Sequence, residues 1–451
     1  MSFLAVSLPL LLQVQSVPAA GAPSPTASGT QAPQTATAPS RRVLHLDDAV
    51  QIALKSQPAV LQARAQTEGA MGTAEQARSG LLPQITGTAA YERAHAASIS
   101  VPGSDANLSN AGKPVTSNLF SATANGTQLL WDFNQTSDKF RAANRSADSF
   151  RASERTTELQ VLLNVRKAFF TARADKDLVT VADETVKNEE KHVVQVKGFV
   201  AAGTQPEIAL ATELTNLAND KVTLITAQNN YEIAKAQLNQ SMGVVAGTDY
   251  DVAPDGLPVI AGEDGSDEHL VEDALKARPE LLSLQKQAEA DALTIRSDKG
   301  AYGPTLSAVG SAGVAGVALD SMTPSWLVGA QLLWPIFQGG LTNGTVHTAE
   351  ANLTYANAAL EAERLQVRFD VEQAILTLRA TKVAIDASRE ALTNAREQLR
   401  LAEGRYQSGV GSIIELGDAQ IAATNAAAQV VQADFNLATA RAQLLTALGR
   451  P

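Results

Sequence analysis

The sequence predicts a mainly α-helical protein with a smaller β portion, in which one structural plan is used twice. Three observations predict it: an internal repeat, helical stretches far longer than usual, and intervening stretches rich in Thr, Ser, Val and Gly. A length of 451 residues suits two or three domains or one elongated body. Aromatic residues are only 4% of the chain and much of its apolar share is alanine, which favours closely packed long helices over a bulky core.

The composition excludes several classes of function. Lys and Arg total 36 against 47 Asp and Glu, for a formal net charge of −11, and an acidic chain without a basic block binds nucleic acid poorly. Cysteine is absent, which excludes disulfides, thiolate metal sites and a cysteine nucleophile. After the first twelve residues, no stretch approaches the roughly 18 consecutive apolar residues of a spanning helix, so a helical membrane protein is not expected.

The N-terminus is interpreted as a targeting segment. Residues 1–22 predict a signal peptide, because the apolar run from Phe3 to Leu12 is followed by small residues up to Ala22. The alternative is an apolar, disordered tail, and no Lys or Arg precedes Arg41 to supply the usual positive charge. Residues 23–42 are rich in Pro, Ala and Thr and predict a disordered linker.

The chain repeats itself. The segment ALKSQP at 53–58 reappears as ALKARP at 274–279, and three glycines recur 206 residues later. The paired glycines are Gly198 with Gly404, Gly203 with Gly409 and Gly243 with Gly449. We therefore predict a first repeat over 43–243, a connector over 244–269 and a second repeat over 270–449.

Within each half the predicted order is helix, two strands, very long helix, turn and long helix. Residues 134–202 contain no proline and one glycine, which gives on the order of 100 Å of helix at about 1.5 Å per residue. Charged residues throughout exclude burial in lipid, so this length requires coiled-coil partners. From Leu378 to Tyr406 and from Ile414 to Leu445, apolar and small residues recur in alternating steps of three and four, which is the heptad seam of left-handed packing.

Four stretches between these helices predict strands. They are 85–93, 118–131, 305–317 and 326–334. Strands of about 9–11 residues with weak alternation suit a transmembrane β-barrel, and a water-facing hairpin packed on the helices fits the same pattern equally well. Because four strands cannot close a barrel, strands that span a membrane would need several copies to share one. The segments 94–117 and 318–325 would then be the outward loops.

Tryptophans mark the predicted strands. Trp131 and Trp334 end strands where helices begin, and Trp326 begins the last strand. The three are candidate membrane-interface aromatics. A core tryptophan at a strand–helix junction is the alternative.

Four segments carry a family resemblance. They are LDDAV at 46–50, LLPQ at 81–84, LWPIFQGG at 333–340 and RYQSG at 405–409. In their order, duplication and spacing the chain resembles the TolC-like outer membrane efflux protein family over 46–449. The resemblance implies a trimer that forms a twelve-stranded outer-membrane β-barrel, continued by a periplasmic α-helical coiled-coil barrel. It also implies a passive exit duct of a tripartite efflux or type I secretion system, which conducts small molecules or secreted substrates outward.

The resemblance also implies partners. They are two further copies of the chain, a periplasmic membrane-fusion adaptor, an inner-membrane pump of the RND or ABC type, and outer-membrane lipid. No nucleic acid, cofactor or metal is expected, and no enzyme activity, since the five histidines are scattered and no catalytic motif occurs. The alternative is a soluble periplasmic coiled-coil scaffold or adaptor, which explains the helices but not the duplicated strand pairs.

The resemblance places a channel gate at the periplasmic end. Glu415, Asp418 and Tyr406 match its gate positions, and threefold symmetry would bring six carboxylates around one axis, which favours cations. Two solvated surface acids are the alternative. The chain departs from the family pattern, because Ala209 replaces the acid that partners the tyrosine and Gly411 replaces the arginine of a second latch. The predicted adaptor contacts are Gly203, Thr204, Gln205, Gly409, Val410, Gly411 and Ser412. The alternative is that the glycines are ordinary turn residues needed for positive φ, and both interpretations can hold at once.

Overall fold

The computed structural model describes residues 42–96, 98–100, 107–109, 115–263 and 265–451. The predicted signal peptide and residues 23–41 of the predicted linker lie outside the described residues. In chain order the described elements are β1 (Arg42–Leu44), α1 (Leu46–Ser56), α2 (Pro58–Ser79), β2 (Gln84–Ala96), β3 (Ser98–Ser100), β4 (Asn107–Ser109), β5 (Val115–Trp131), α3 (Gln135–Ala201), α4 (Glu207–Met242), β6 (Tyr250–Val252), α5 (Asp267–Ala277), α6 (Pro279–Gly300), β7 (Thr305–Gly316), β8 (Thr323–Leu333), α7 (Leu341–Gln407) and α8 (Ile413–Ala447).

Most of this structure is helical, and the helices differ from the prediction in one respect. Two helices, not one, precede the strands in each half, and they divide at Pro58 and Pro279. Proline suits the first position of a helix but forces the residue before it into extended conformation. Gln57 and Arg278 accordingly have ψ of 120°, so the chain bends there.

Three of the four predicted strands are longer than predicted, whereas β7 ends one residue earlier than predicted. β2 pairs with β5 from Gln84↔Thr127 to Ala96↔Val115, so strand pairing continues into both ends of the predicted loop 94–117. The short strands β3 and β4 pair with each other inside the same segment. β8 likewise begins at Thr323, inside the predicted loop 318–325. Together β2, β5, β7 and β8 form one antiparallel sheet in that order.

The predicted linker and connector also contain structure at their ends. Arg42 begins β1, which pairs in parallel with β6 of the connector in the register Arg42↔Tyr250. Helix α5 begins at Asp267, which also lies in the predicted connector. The connector therefore does more than join the two halves, because β6 holds the start of the described chain against the helices.

In both halves, the bend between the first two helices is hydrogen-bonded to the end of the last helix. Gln57 Nε2 donates a hydrogen bond to the Ser241 carbonyl oxygen at 2.8 Å, at the end of α4. Arg278, which occupies the equivalent position in the second half, donates from Nη1 to the Ala447 carbonyl oxygen at 3.4 Å, at the end of α8. In each half, the last carbonyls of the final helix are thus satisfied by the residue that separates its first two helices.

The apolar core forms three main clusters. One surrounds Phe169 and Phe170 between α1, α3 and α4, and a second surrounds Val371 and Leu444 between α5, α7 and α8. The third lies near the turns of the two helical hairpins and includes Tyr406. Within the described part of the chain, no helix is both long enough and apolar enough to cross a membrane.

Candidate functional site

The four-stranded sheet has one mainly apolar and one mainly polar face, and the polar residues Arg93, His95 and Asn118 lie on the apolar side near the ends of β2 and β5 away from the helices. Residues that pair directly across antiparallel strands point to the same side, and the register therefore sorts the side chains of all four strands. The apolar face carries Ile85, Ala89, Tyr91, Phe120, Ala122, Ala124, Leu306, Ala308, Ala312, Val314, Trp326, Val328, Ala330 and Leu332. The opposite face carries Thr86, Thr88, Glu92, Ser121, Thr123, Asn125, Thr127, Ser307, Ser311, Ser325 and Gln331, together with the apolar residues Leu119, Leu129, Val309, Leu327 and Leu333.

Solvent exposure and hydrogen bonding agree with this division. Ile85 and Val328 are each 78% exposed in the single chain, although both are large and apolar. On the other face, the Thr88 and Thr123 hydroxyls form a hydrogen bond of 2.7 Å between neighbouring strands. A sheet with these two faces can separate an apolar medium from water.

Aromatic side chains mark two levels of the sheet. Trp131 lies at the helix end, its ring 5.7 Å from Phe133, and Trp334 lies at the same end. Phe120 stacks on Tyr91 at 4.9 Å toward the other end. Phe120 and Trp131 are eleven residues apart on β5. At about 3.4 Å per residue and a tilt of roughly 40°, that separation spans about 28 Å, close to the roughly 30 Å of a bilayer core.

The structure separates the three predicted tryptophans. Trp131 and Trp334 are at the helix end of the sheet, and Trp326 is nearer the opposite end, where it pairs with Ala312. Their exposed fractions are 53%, 59% and 80%, so none is a core residue of the single chain. Trp334 also donates from Nε1 to the Tyr302 carbonyl oxygen at 3.2 Å, which fixes its ring at the strand–helix junction.

The helices end far from the sheet in two turns, between α3 and α4 and between α7 and α8. These turns contain all the predicted contact residues: Gly203, Thr204, Gln205, Gly409, Val410, Gly411 and Ser412. Gly203 and Gly409 have φ of +72° and +76°, so both turns need the left-handed conformation that glycine adopts readily. Val410 is 70% exposed, whereas the Ser412 hydroxyl accepts a 3.1 Å hydrogen bond from the Glu415 N–H and begins α8.

The two predicted gate acids have different surroundings. Glu415 lies in the first turn of α8, and its Oε1 is 3.1 Å from Nε of Arg405 in the last turn of α7. Asp418 is exposed, and no ion pair joins it to another residue among those described. The chain therefore neutralises one predicted gate carboxylate with its own arginine and leaves the other free.

Tyr406 is a buried residue at this end of the molecule. It is 3% exposed and packs in one apolar cluster with Ala209 and Leu416. Its ring meets Phe199 edge to face at 5.9 Å. A Cβ added to Gly411 would lie 2.9 Å from the Tyr406 backbone nitrogen, so the turn leaves no space for the latch arginine of the family pattern.

Sequence reasoning missed a set of buried titratable groups beside Tyr406. Glu189 is 4% exposed, His192 8% and Glu213 6%. Glu213 lies four residues after Ala209, one turn along α4, and its charge acts together with burial to raise the pKa of Tyr406, while Gln205 acts to lower it. The available signal was that Glu189 and His192 occupy apolar seam positions of α3, between Val186 and Val196.

His192 joins the two helical hairpins. Its Nε2 lies 3.8 Å from Oε1 of Glu403 on α7, whereas its Nδ1 is buried without a hydrogen-bond partner. Burial lowers its pKa, and the charges of Glu403 and Glu213 act in the opposite direction. The ring is therefore held mostly neutral between two acids.

Comparison with known proteins gives consistent matches. The family model for outer membrane efflux proteins matches residues 49–244 and 270–450. The outer membrane protein TolC of Escherichia coli K12 is 25% identical over 422 residues, which cover 87% of this chain and 80% of that protein. The outer membrane channel CmeC of Campylobacter jejuni superposes with a TM-score of 0.78 at 18% identity, over 90% of this chain and 85% of that one. The MtrE outer membrane channel of Neisseria gonorrhoeae, in its open state, gives 0.73 at 20% identity, over 90% and 89%.

Proposed function

The chain belongs to the outer membrane efflux protein family, and we propose that three copies of it close one twelve-stranded barrel in the outer membrane. As a member of this family the protein is an outer-membrane efflux channel and acts as an exit duct. The observation that carries the trimer is the two-faced sheet with free edges at β2 and β8. In lipid, each edge must find hydrogen-bond partners. Since β2 and β8 run in opposite directions, β8 of one copy pairs antiparallel with β2 of the next.

The helices support the same assembly. Within the chain, α3 packs on α4 and α8, and α7 packs on α8, yet large apolar side chains stay uncovered on α4 and α7. Val222 and Ile225 are 63% and 64% exposed, and Leu376 and Val383 are 63% and 71% exposed. Rows of this kind are typical of subunit interfaces. We propose that α4 of one copy packs on α7 of the next, which continues the barrel as a periplasmic ring of helices.

The repeat assignment forms part of this proposal. We propose two repeats of the family, at 43–243 and 270–449, with the connector 244–269 between them and a signal peptide at 1–22. Equal helix lengths support the repeats, since α3 and α7 each have 67 residues and α2 and α6 each have 22. The proposed partners are a periplasmic adaptor that contacts the hairpin turns and an inner-membrane pump that supplies the energy.

The trimer is tested by placing charge on the exposed row of α7. The double variant Leu376→Asp with Val383→Asp is expected to leave the protein folded but to prevent trimer formation, because two carboxylates would be buried unpaired at each interface. The measurements are retention in urea-washed outer membranes and native mass in detergent. The unmodified protein is expected to stay in the membrane at three times the protomer mass.

The matched control is Thr377→Asp, which adds a charge at an exposed position of α7 about 100° around the helix from Leu376. It is expected to leave the trimer intact. A double variant that still runs as a trimer would reject the proposed α4–α7 packing. An unmodified protein that urea releases as a monomer would reject the shared barrel and favour a soluble scaffold.

The gate is tested by charge removal. We propose that Asp418, with Glu415, lines the periplasmic entrance. Glu415→Ala with Asp418→Ala is expected to lower cation preference, which is measured as the reversal potential across a planar bilayer with a salt gradient. Because Arg405 already pairs with Glu415, Asp418→Asn alone is expected to cause most of the change and Glu415→Gln little.

The exposed acid Glu390, elsewhere on α7, provides the control. Glu390→Gln is expected to leave the reversal potential as in the unmodified channel. An unchanged potential in the double alanine variant would remove the gate assignment, and a larger change from Glu415→Gln than from Asp418→Asn would reject the pairing with Arg405.

A further inference from the structure

A cavity of about 440 Å³ lies among α3, α4, α7 and α8, close to the two hairpin turns. Its acidic lining residues are Glu184, Glu189, Asp220 and Glu403, and Arg396 is the basic one. Amide and hydroxyl groups from all these helices except α7 complete much of the remaining wall. The cavity is thus rich in hydrogen-bond acceptors and carries an excess of acid.

Glu189 gives this cavity a built polar anchor. Its side chain lines the cavity although the residue is 96% buried, being 4% exposed. Its Oε1 is fully enclosed and has no hydrogen-bond partner. A buried carboxyl oxygen without a partner is costly, and a donor in the cavity would remove that cost.

The neighbouring acids leave Oε1 of Glu189 without a donor. Glu213 on α4 is itself buried and acidic, and Asp220 lies further along the same helix. Burial raises the pKa of Glu189 to about 9, and the hydrogen bond and charge of Glu213 and the charge of Asp220 act in the same direction. Glu189 therefore holds a proton at neutral pH. Burial and Glu213 also raise the pKa of Asp220.

Three further titratable groups line the cavity. Glu184 lies on α3 at the cavity wall, and α7 contributes Arg396 and Glu403, whose carboxylate faces His192. Tyr406 is close enough for Glu213 to raise its pKa. No titratable residue of α8 lines the cavity in the described chain. Acids consequently outnumber bases around the space.

We propose that this cavity binds a linear aliphatic amine, a molecule of the polyamine class, with one ammonium group at Glu189 in place of its proton. An ammonium group is compact and carries three donors, which matches an enclosed carboxyl in a cavity whose wall also carries amide groups. Leu399 and Ile421 in the wall offer apolar contact to the methylene chain. Among the described residues no cluster of histidine and acidic side chains is arranged to hold a metal ion, which favours an organic cation. The volume is within the usual range for small-molecule sites.

Binding of this kind releases a proton, because Glu189 must ionise to accept the ammonium group. The affinity should therefore rise as the pH approaches the raised pKa of Glu189. The acids of the proposed entrance are exposed, so an amine bound there would take no proton from a buried carboxyl. Proton release thus separates the cavity from the entrance.

The test is calorimetry with spermidine on the full chain in detergent at pH 7.5, in two buffers of different ionisation enthalpy. We expect binding with release of close to one proton and an affinity that rises between pH 6.5 and 8.5. Glu189→Gln should weaken binding by at least about tenfold, as expected for the loss of a buried charged hydrogen bond, and remove the buffer dependence. Glu190→Gln is the matched control, since Glu190 is exposed and pairs with Lys221 at 3.1 Å.

A further variant separates the cavity from the proposed entrance. Asp418→Asn should retain proton-linked binding, because it changes only the proposed entrance. Absence of binding, binding without proton release, or equal affinity in Glu189→Gln would each overturn the proposal. None of these readouts involves conduction or trimer mass, so failure here leaves the proposed function to its own tests.

Discussion

Replacing Gly243 with alanine is expected to destabilise the fold severely. Gly243 ends α4 with φ of +71°, and an added Cβ would lie 2.6 Å from the Gln57 Cα and 2.8 Å from the Ser56 carbonyl oxygen. The left-handed conformation costs an alanine about 1–2 kcal/mol, and overpacking adds about 1–3 kcal/mol. Backbone atoms cannot rotate away as a side chain can, so the junction between α1, α2 and α4 would have to open.

The measurement is the thermal midpoint of helix loss by circular dichroism in detergent, with membrane yield as a second readout. Gly198→Ala is the matched control, because Gly198 lies inside α3 and an added Cβ there meets nothing within 4 Å. It is expected to stabilise the helix by up to about 1 kcal/mol. A Gly243→Ala protein with the same thermal midpoint as the unmodified protein would show that the junction accommodates the added methyl group without loss of stability.

Only part of this junction was predictable from the sequence. The offset that pairs Gly243 with Gly449 identified them as the equivalent last residues of the two predicted repeats, and the structure gives both a positive φ. The contact that makes the position intolerant, between α4 and the Gln57 backbone, joins segments almost 190 residues apart. Repeat spacing reports that two positions are equivalent, but it does not report which distant backbone each one touches.

In the sheet, the positions of the strands were predictable from the sequence, but their pairing was not. Composition and length located all four long strands to within a few residues, because β-branched and small residues alternate there. The pairing of β5 with β7, which joins the two halves, was not predictable from either half alone. That pairing decides the two faces, since it aligns the Ala- and Gly-rich positions of β7 with Phe120, Ala122 and Ala124.

The candidate site was the least predictable part. Family resemblance indicated Tyr406, Glu415 and Asp418, yet the surroundings of each depend on contacts between helices. The pairing of Glu415 with Arg405 crosses a turn, and the burial of Glu189 against Glu213 joins two helices of one hairpin. A heptad pattern indicates only that an acid is unfavourable at an apolar seam position. The structure is needed to show that several such acids lie close together.

A second large effect is expected at Glu263 in the connector. Its side chain is 1% exposed, and Oε1 lies 2.7 Å from Nζ of Lys382 and 3.2 Å from Nη2 of Arg441. Its Oε2 accepts a 2.9 Å hydrogen bond from the Ile260 N–H. Glu263→Gln removes the buried carboxylate that Lys382 and Arg441 share, and loss of one partner from a buried ion pair costs up to about 3–5 kcal/mol.

The control is Glu268→Gln, in which the lost partner is Arg368 at 3.4 Å in an exposed pair. Exposed pairs contribute at most about 1 kcal/mol, so the thermal midpoint of this variant should stay close to that of the unmodified protein. An equal fall in the thermal midpoint of both variants would show that burial of Glu263 adds no stability beyond that of an exposed ion pair.

The pH dependence gives a separate test of the same group. Burial acts to raise the pKa of Glu263, but hydrogen bonds from Lys382, the Ile260 N–H and Arg441 outweigh it, and the pKa lies below its ordinary value of 4.5. Since the folded state binds the proton more weakly than the unfolded state, the stabilisation is complete above pH 4.5 and is lost as the pH falls through the lowered pKa. Glu263→Gln has no proton to take up at this position, so its thermal midpoint should fall less on acidification. Identical acid profiles for the two proteins would mean that other carboxylates set the acid limit of the fold.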